Sequence, residues 1–90
     1  MFIVVTYDII DDKRRNKIAK RLKDYGVRVQ KSVFECLLEE EKIKCMIEKA
    51  TPLLKEEDSF RIYCLCESCR KKIKSYGDER ITDDPEVYIV

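Results

Sequence analysis

Phe2-Ile3-Val4-Val5-Thr6-Tyr7-Asp8 opens the chain, and all but its last residue are β-branched or aromatic. Such residues fit a pleated, half-buried surface, so the stretch reads as a strand. It is apolar at nearly every position rather than at alternate ones, which marks a central strand buried on both faces. Asp8 stands at its carboxyl end, and Ile9-Ile10 leads out. Asp11 and Asp12 are N-cap candidates for a helix running to about Tyr25. Ile18, Ala19, Leu22 and Tyr25 share one stripe of that helix, with Lys and Arg off it. Gly26 supplies its stop.

Working outward, Val27–Gln30 and Ser32–Leu38 read as two strands. Val27 and Val29 have one parity, while Phe34, Cys36 and Leu38 have the other. A bulge or break near Lys31 reconciles them. Glu39 to about Leu54 reads as a second amphipathic helix, with Ile43, Met46, Ile47, Ala50 and Leu54 on its stripe and Pro52 in its last turn. Ser59–Leu65 alternates as a strand. A cysteine-bearing segment follows, then a short strand over Ile73–Tyr76, an acidic tail from Gly77, and a terminal strand Val87, Tyr88, Ile89 and Val90. The order strand, helix, strand, strand, helix, strand predicts an α+β fold, a ferredoxin-like βαββαβ sandwich with an extra C-terminal strand. Residues 1–90 are expected to form a single domain, with 77–90 as its tail and strand. Both helices would lie on one face of the sheet. A second copy is expected to cover the other face, giving a two-fold homodimer, and the terminal strand suits pairing with the partner subunit's edge.

Apolar residues make up 44% of the chain, too many for a disordered one. No apolar run approaches the roughly 20 residues of a membrane span, so no membrane partner is expected. The first apolar segment starts at Met1 without a basic region before it, so a secretory signal peptide is not expected. The sequence contains no His, which excludes Ser-His and Cys-His nucleophiles and His-held metals. The net charge of +1 conceals a segment from Lys13 to Lys31 with nine basic residues and one acid, a local +8 against −7 elsewhere. Lys13, Arg14, Arg15, Lys17, Lys20, Arg21, Lys23, Arg28 and Lys31 make up this segment. No aromatic ladder interrupts it, which favours phosphate-backbone contact over base stacking. The alternative is a solvated helix face.

Five cysteines without a secretory signal suggest mostly reduced thiols and a cytoplasmic location. Cys64, Cys66 and Cys69 form a CxCxxC cluster. A structural zinc site needs four ligands, so Cys36, Cys45 or a dimer mate would have to complete it. Free or buried thiols are favoured over a disulfide, and a disulfide over zinc. Cys36 and Cys45 read as core or near-core, as do Tyr7, Tyr25, Phe34, Phe60 and Tyr63. Asp8 is the sharpest candidate for chemistry. Two copies meeting across a dimer axis would repel, and Mg²⁺, a hard cation content with one or two carboxylates and water, would relieve that repulsion. The simpler alternative is an Asp capping the following turn.

Val4-Val5-Thr6-Tyr7-Asp8-Ile9, Arg14-Arg15-Asn16-Lys17, the run from Tyr25 to Glu35, Asp58–Tyr63, and the Leu65-Cys66-x-x-Cys69 turn together resemble the second CRISPR-associated core protein family. The likeness spans essentially the whole chain. That family is the small subunit of the spacer-acquisition complex. The resemblance implies a ferredoxin-like homodimer whose C-terminal strand adds to the partner's sheet. It implies that Asp8 is the catalytic and metal-binding aspartate, with Mg²⁺, or Mn²⁺ in its place, between two protomers. It further implies binding of prespacer duplex along basic surfaces, an integrase subunit as partner, and metal-dependent cleavage of RNA or DNA in some members. Three functions are therefore in contention: a metal-dependent endonuclease, an architectural adaptor for the CRISPR integrase, and, from the residues alone, a thiol-based metal carrier.

Overall fold

The computed structural model describes residues 1–76, so the expected tail from Gly77 and the strand Val87–Val90 lie outside the described residues. Within them the elements are β1 (Phe2–Asp8), α1 (Asp12–Leu22), β2 (Val27–Gln30), β3 (Val33–Leu37), α2 (Glu40–Ala50), β4 (Ser59–Leu65) and α3 (Glu67–Arg70). A short 3₁₀ turn, Thr51–Leu53, follows α2. The strands form one sheet in the order β2-β3-β1-β4, with every neighbouring pair antiparallel. This is the ferredoxin-like α+β sandwich, two interleaved βαβ units with the first strand at the centre.

The two faces of β1 differ. Ile3, Val5 and Tyr7 are buried beneath the helices with Ile18, Ala19 and Leu22 of α1, Phe34 and Cys36 of β3, and Met46 and Ala50 of α2. Phe2, Val4, Thr6 and Asp8 face the other way. Their cross-strand partners Val33, Glu35 and Leu37 on β3, and Ser59, Arg61, Tyr63 and Leu65 on β4, share that face. α1 and α2 leave it open; only Arg70 of α3 reaches over Phe2, and Val4, Thr6, Val33, Leu37 and Leu65 stay only half-buried.

Local chemistry accounts for most boundaries. Asp11 is the cap of α1, its carboxylate accepting the Arg14 N–H at 2.9 Å. The helix stops at Leu22 rather than Tyr25, because Asp24 and Tyr25 donate to carbonyls three residues back, at 3.3 and 2.9 Å, and so form a tightened turn. Gly26 follows it for reasons of space. A Cβ there would overlap the Glu35 carbonyl oxygen and the Cys36 Sγ. The parity change between β2 and β3 is a bulge between Arg28 and Gln30, slightly earlier than Lys31. Pro52, which has no N–H, ends the α-helical ladder of α2 in the 3₁₀ turn.

Three expectations fail. Ile73–Tyr76 is not a strand; Tyr76 is 83% exposed and the segment pairs with none of the described strands. Cys45 lies on the exposed side of α2. Tyr63, on the open face, is 47% exposed rather than core.

A candidate nucleic-acid and metal-binding surface

Asp8 ends the central strand, exposed, on the face of the sheet that the helices leave open. It pairs with Ser59, the first residue of β4, so the rim around it is built from the β1–α1 loop and the turn before β4. Its carboxylate makes no hydrogen bond or ion pair among the described residues. An accessible oxygen donor with no internal claim on it suits a hard, oxygen-seeking divalent cation. One protomer gives no more than this, since no group of three metal-ligating side chains occurs among the described residues. The donor set fits an ion that keeps most of its water or is shared with a second copy.

The basic segment separates into two populations. The arginines are engaged in the fold. Arg14 binds Asp58 through Nε (3.1 Å) and Nη2 (2.9 Å), with Glu57 3.5 Å away. Asp58 also accepts the Lys55 N–H at 2.9 Å, and its side chain is wholly enclosed. The Arg14 guanidinium holds the Asp58 carboxyl below the usual carboxylate range, outweighing desolvation. Arg15 donates to the Ile9 carbonyl at 3.1 Å and pairs with Asp12. Arg21 donates to the Lys49 carbonyl at 2.9 Å. Arg28 donates Nε to the Lys31 carbonyl at 3.0 Å and lies 5.9 Å from the Phe34 ring centroid. That carbonyl also accepts from the Tyr7 hydroxyl at 3.3 Å.

Lys13, Lys17, Lys20, Lys23 and Lys31 are exposed, and their ammonium groups make no ion pair or hydrogen bond among the described residues. Lys13, Lys17 and Lys20 recur at i, i+4 and i+7 on α1, opposite the buried stripe of Ile18, Ala19 and Leu22. The basic segment is thus divided by how its side chains are engaged. Lysines form the free cationic stripe, while Arg14 and Arg15 brace the loop that follows Asp8. Asp58, which the sequence reading did not single out, is the residue that ties the two sides of the rim together. An open depression lined by Ile10, Asp11, Asp12, Lys13, Arg14 and Glu57 adjoins it.

No helix among the described residues is long and apolar enough to cross a membrane. Residues 1–73 match the family model described as "CRISPR associated protein Cas2". The chain is 50% identical over 80 residues to "CRISPR-associated endoribonuclease Cas2 1" of Chloroflexus aurantiacus, across 87% of this chain and 86% of that one. It is similar to the crystal structure of Streptococcus pyogenes Cas2, with a TM-score of 0.75, 34% identity and coverage of 86% and 100% of the two chains. It is also similar to a chain of an assembly described as "Partial Cas6-RT-Cas1--Cas2 complex", with a TM-score of 0.71, 30% identity and 82% coverage of each.

Proposed function

The chain belongs to the Cas2 family of CRISPR-associated proteins, and on that premise we propose that it is a nucleic-acid-binding subunit of spacer acquisition with Mg²⁺-dependent endonuclease activity centred on Asp8. It works as a two-fold homodimer. The half-buried apolar row of Val4, Val33, Leu37 and Leu65 around Tyr63 supports a second copy against the open face, because a sheet face of this kind is stable when covered. A chain similar to this one sits in an assembly with Cas1, which supports an integrase subunit as partner.

The position of Asp8 carries the reading: an accessible, unpaired carboxylate at the end of the central strand, on the face that a second copy would cover. A Mg²⁺ ion held there, or Mn²⁺, would supply charge neutralisation at phosphorus and a more acidic water. The chain's own residues do the rest. Arg14 and Asp58 lock the turn before β4 onto α1, and Arg15 holds the Ile9 carbonyl, so the backbone on both sides of Asp8 is fixed before substrate arrives. The lysines of α1 attract the phosphate backbone and hold its register without reading bases. With no His in the sequence, solvent or a metal-bound water would have to supply the proton for the leaving oxygen.

A second reading is an adaptor that binds duplex and integrase without cutting. The free lysine stripe of α1, which can hold phosphate without a metal, favours it. Cleavage of RNA, single-stranded DNA and duplex by wild type and Asp8→Asn, with divalent metal and with chelator, separates the two. Metal-dependent cutting that disappears in a dimeric Asp8→Asn is expected. Cutting that persists in the variant removes Asp8 from the mechanism, and no cutting by wild type on any substrate leaves the adaptor.

A further inference from the structure

Cys66-Glu67-Ser68-Cys69 lies just beyond β4, where the chain turns into α3, and nothing in the proposed nuclease uses it. Cys66 caps the turn in extended conformation, and Cys69 sits one turn on, so both thiols are on the same side. Cys66 Sγ lies 3.2 Å from the Ser68 hydroxyl. Both cysteines are exposed. Arg70 pairs with Glu67 at 2.9 Å and lies 5.4 Å from the Phe2 ring centroid, which anchors the turn to the sheet. No group of three metal-ligating side chains occurs among the described residues.

We propose that Cys66 and Cys69 form a reversible dithiol site for small-molecule disulfides, with Cys66 as the attacking thiol and Cys69 as the resolving one. Cys66 sulfur attacks one sulfur of the disulfide RSSR, breaking its S–S bond and releasing RS⁻. Cys69 then attacks Cys66 sulfur, forming the Cys66–Cys69 bond and releasing the second RS⁻. The two protein thiols are oxidised, RSSR is reduced to two RSH, and the two thiol protons end on them. The surroundings assign the order. The Ser68 hydroxyl and then the Cys69 backbone N–H stabilise the Cys66 thiolate and bring its pKa to about 7. Cys69, beside that thiolate, is shifted upward. Buried Cys36 is the inert contrast, its thiol pushed up to about 11 by desolvation.

The test is incubation of the folded full-length protein with oxidised glutathione near neutral pH, followed by intact mass measurement and peptide mapping. Wild type is expected to lose two thiols as a Cys66–Cys69 disulfide that a dithiol reductant reverses. Cys69→Ser is expected to accumulate a mixed disulfide on Cys66 about fivefold faster than on exposed Cys45, since the larger thiolate fraction outweighs its lower nucleophilicity. Cys66→Ser is expected to form no intramolecular bond at this turn. The proposal is overturned if Cys66 reacts no faster than Cys45, or if wild type retains mixed disulfides at Cys66 without closing onto Cys69.

Discussion

Replacing Lys13, Lys17 and Lys20 together by Gln distinguishes a phosphate-binding stripe from a merely solvated helix face. The three ammonium groups point away from the core and make no ion pair among the described residues, so their removal leaves the packing of α1 intact. Gln has nearly the same helix propensity as Lys, so the helix should persist. Each phosphate neutralised on B-DNA contributes about −0.9 to the slope of log affinity against log salt. Three lysines in one protomer therefore account for a slope of about −2.7. Between about 50 and 200 mM salt, wild-type affinity should fall about 40-fold more than that of the triple variant. Fluorescence anisotropy of a labelled duplex across that range reads the slope directly. Arg14→Gln is the internal contrast. Its guanidinium is engaged by Asp58, so the slope should stay at the wild-type value while thermal stability falls. Equal slopes for wild type and the triple variant would refute the division between free lysines and engaged arginines. So would an Arg14→Gln slope as shallow as that of the triple variant.

Two further outcomes follow from the packing. Gly26→Ala drives a methyl into the Glu35 carbonyl and the Cys36 sulfur, neither of which is a flexible side-chain end, so overpacking should destabilise by about 2 kcal/mol. For a domain of this size that lowers Tm by about 8–16 °C, and an unchanged Tm by calorimetry would show that β2 has room to move. The Asp58 carboxyl titrates below its ordinary value of 3.8, so its contribution is present above that pH and is lost as pH falls through the depressed value. The Tm advantage of wild type over Asp58→Asn should therefore hold from neutral pH down to about 4 and vanish in stronger acid. A constant gap across the acid range would count against the Arg14 pairing.

How much of this was legible beforehand depends on the range of the interaction concerned. β1 declared itself through composition, α1 through its Asp11 cap and apolar stripe, and the β2–β3 bulge through a change of parity. All three are local signals, read over a few residues. The Arg14–Asp58 clamp joins residues 44 apart, and no spacing rule connects them. Arg14 therefore looked like another phosphate ligand until the sheet brought β4 beside β1. The same limitation hid the reason for Gly26, which depends on how closely β2 approaches β3 rather than on a left-handed turn. Ile73–Tyr76 misled because a short apolar-polar alternation resembles a strand whether or not a neighbour exists to pair with it. Asp8 was visible from the start, because a charge ending an apolar strand is conspicuous in any sequence.

The central place of β1 also sets the tempo of folding. It is synthesised before the other described elements, yet its edge toward β4 is satisfied only when Ser59–Leu65 arrives to pair with Asp8–Phe2. At about 5–20 residues per second, that leaves the most apolar strand of the protein half-paired for several seconds. The long loop that must close between its ends makes this pairing the slow one. Aggregation risk in this protein is thus concentrated in the nascent chain, and conditions that slow elongation should lower soluble yield without changing the stability of the folded product.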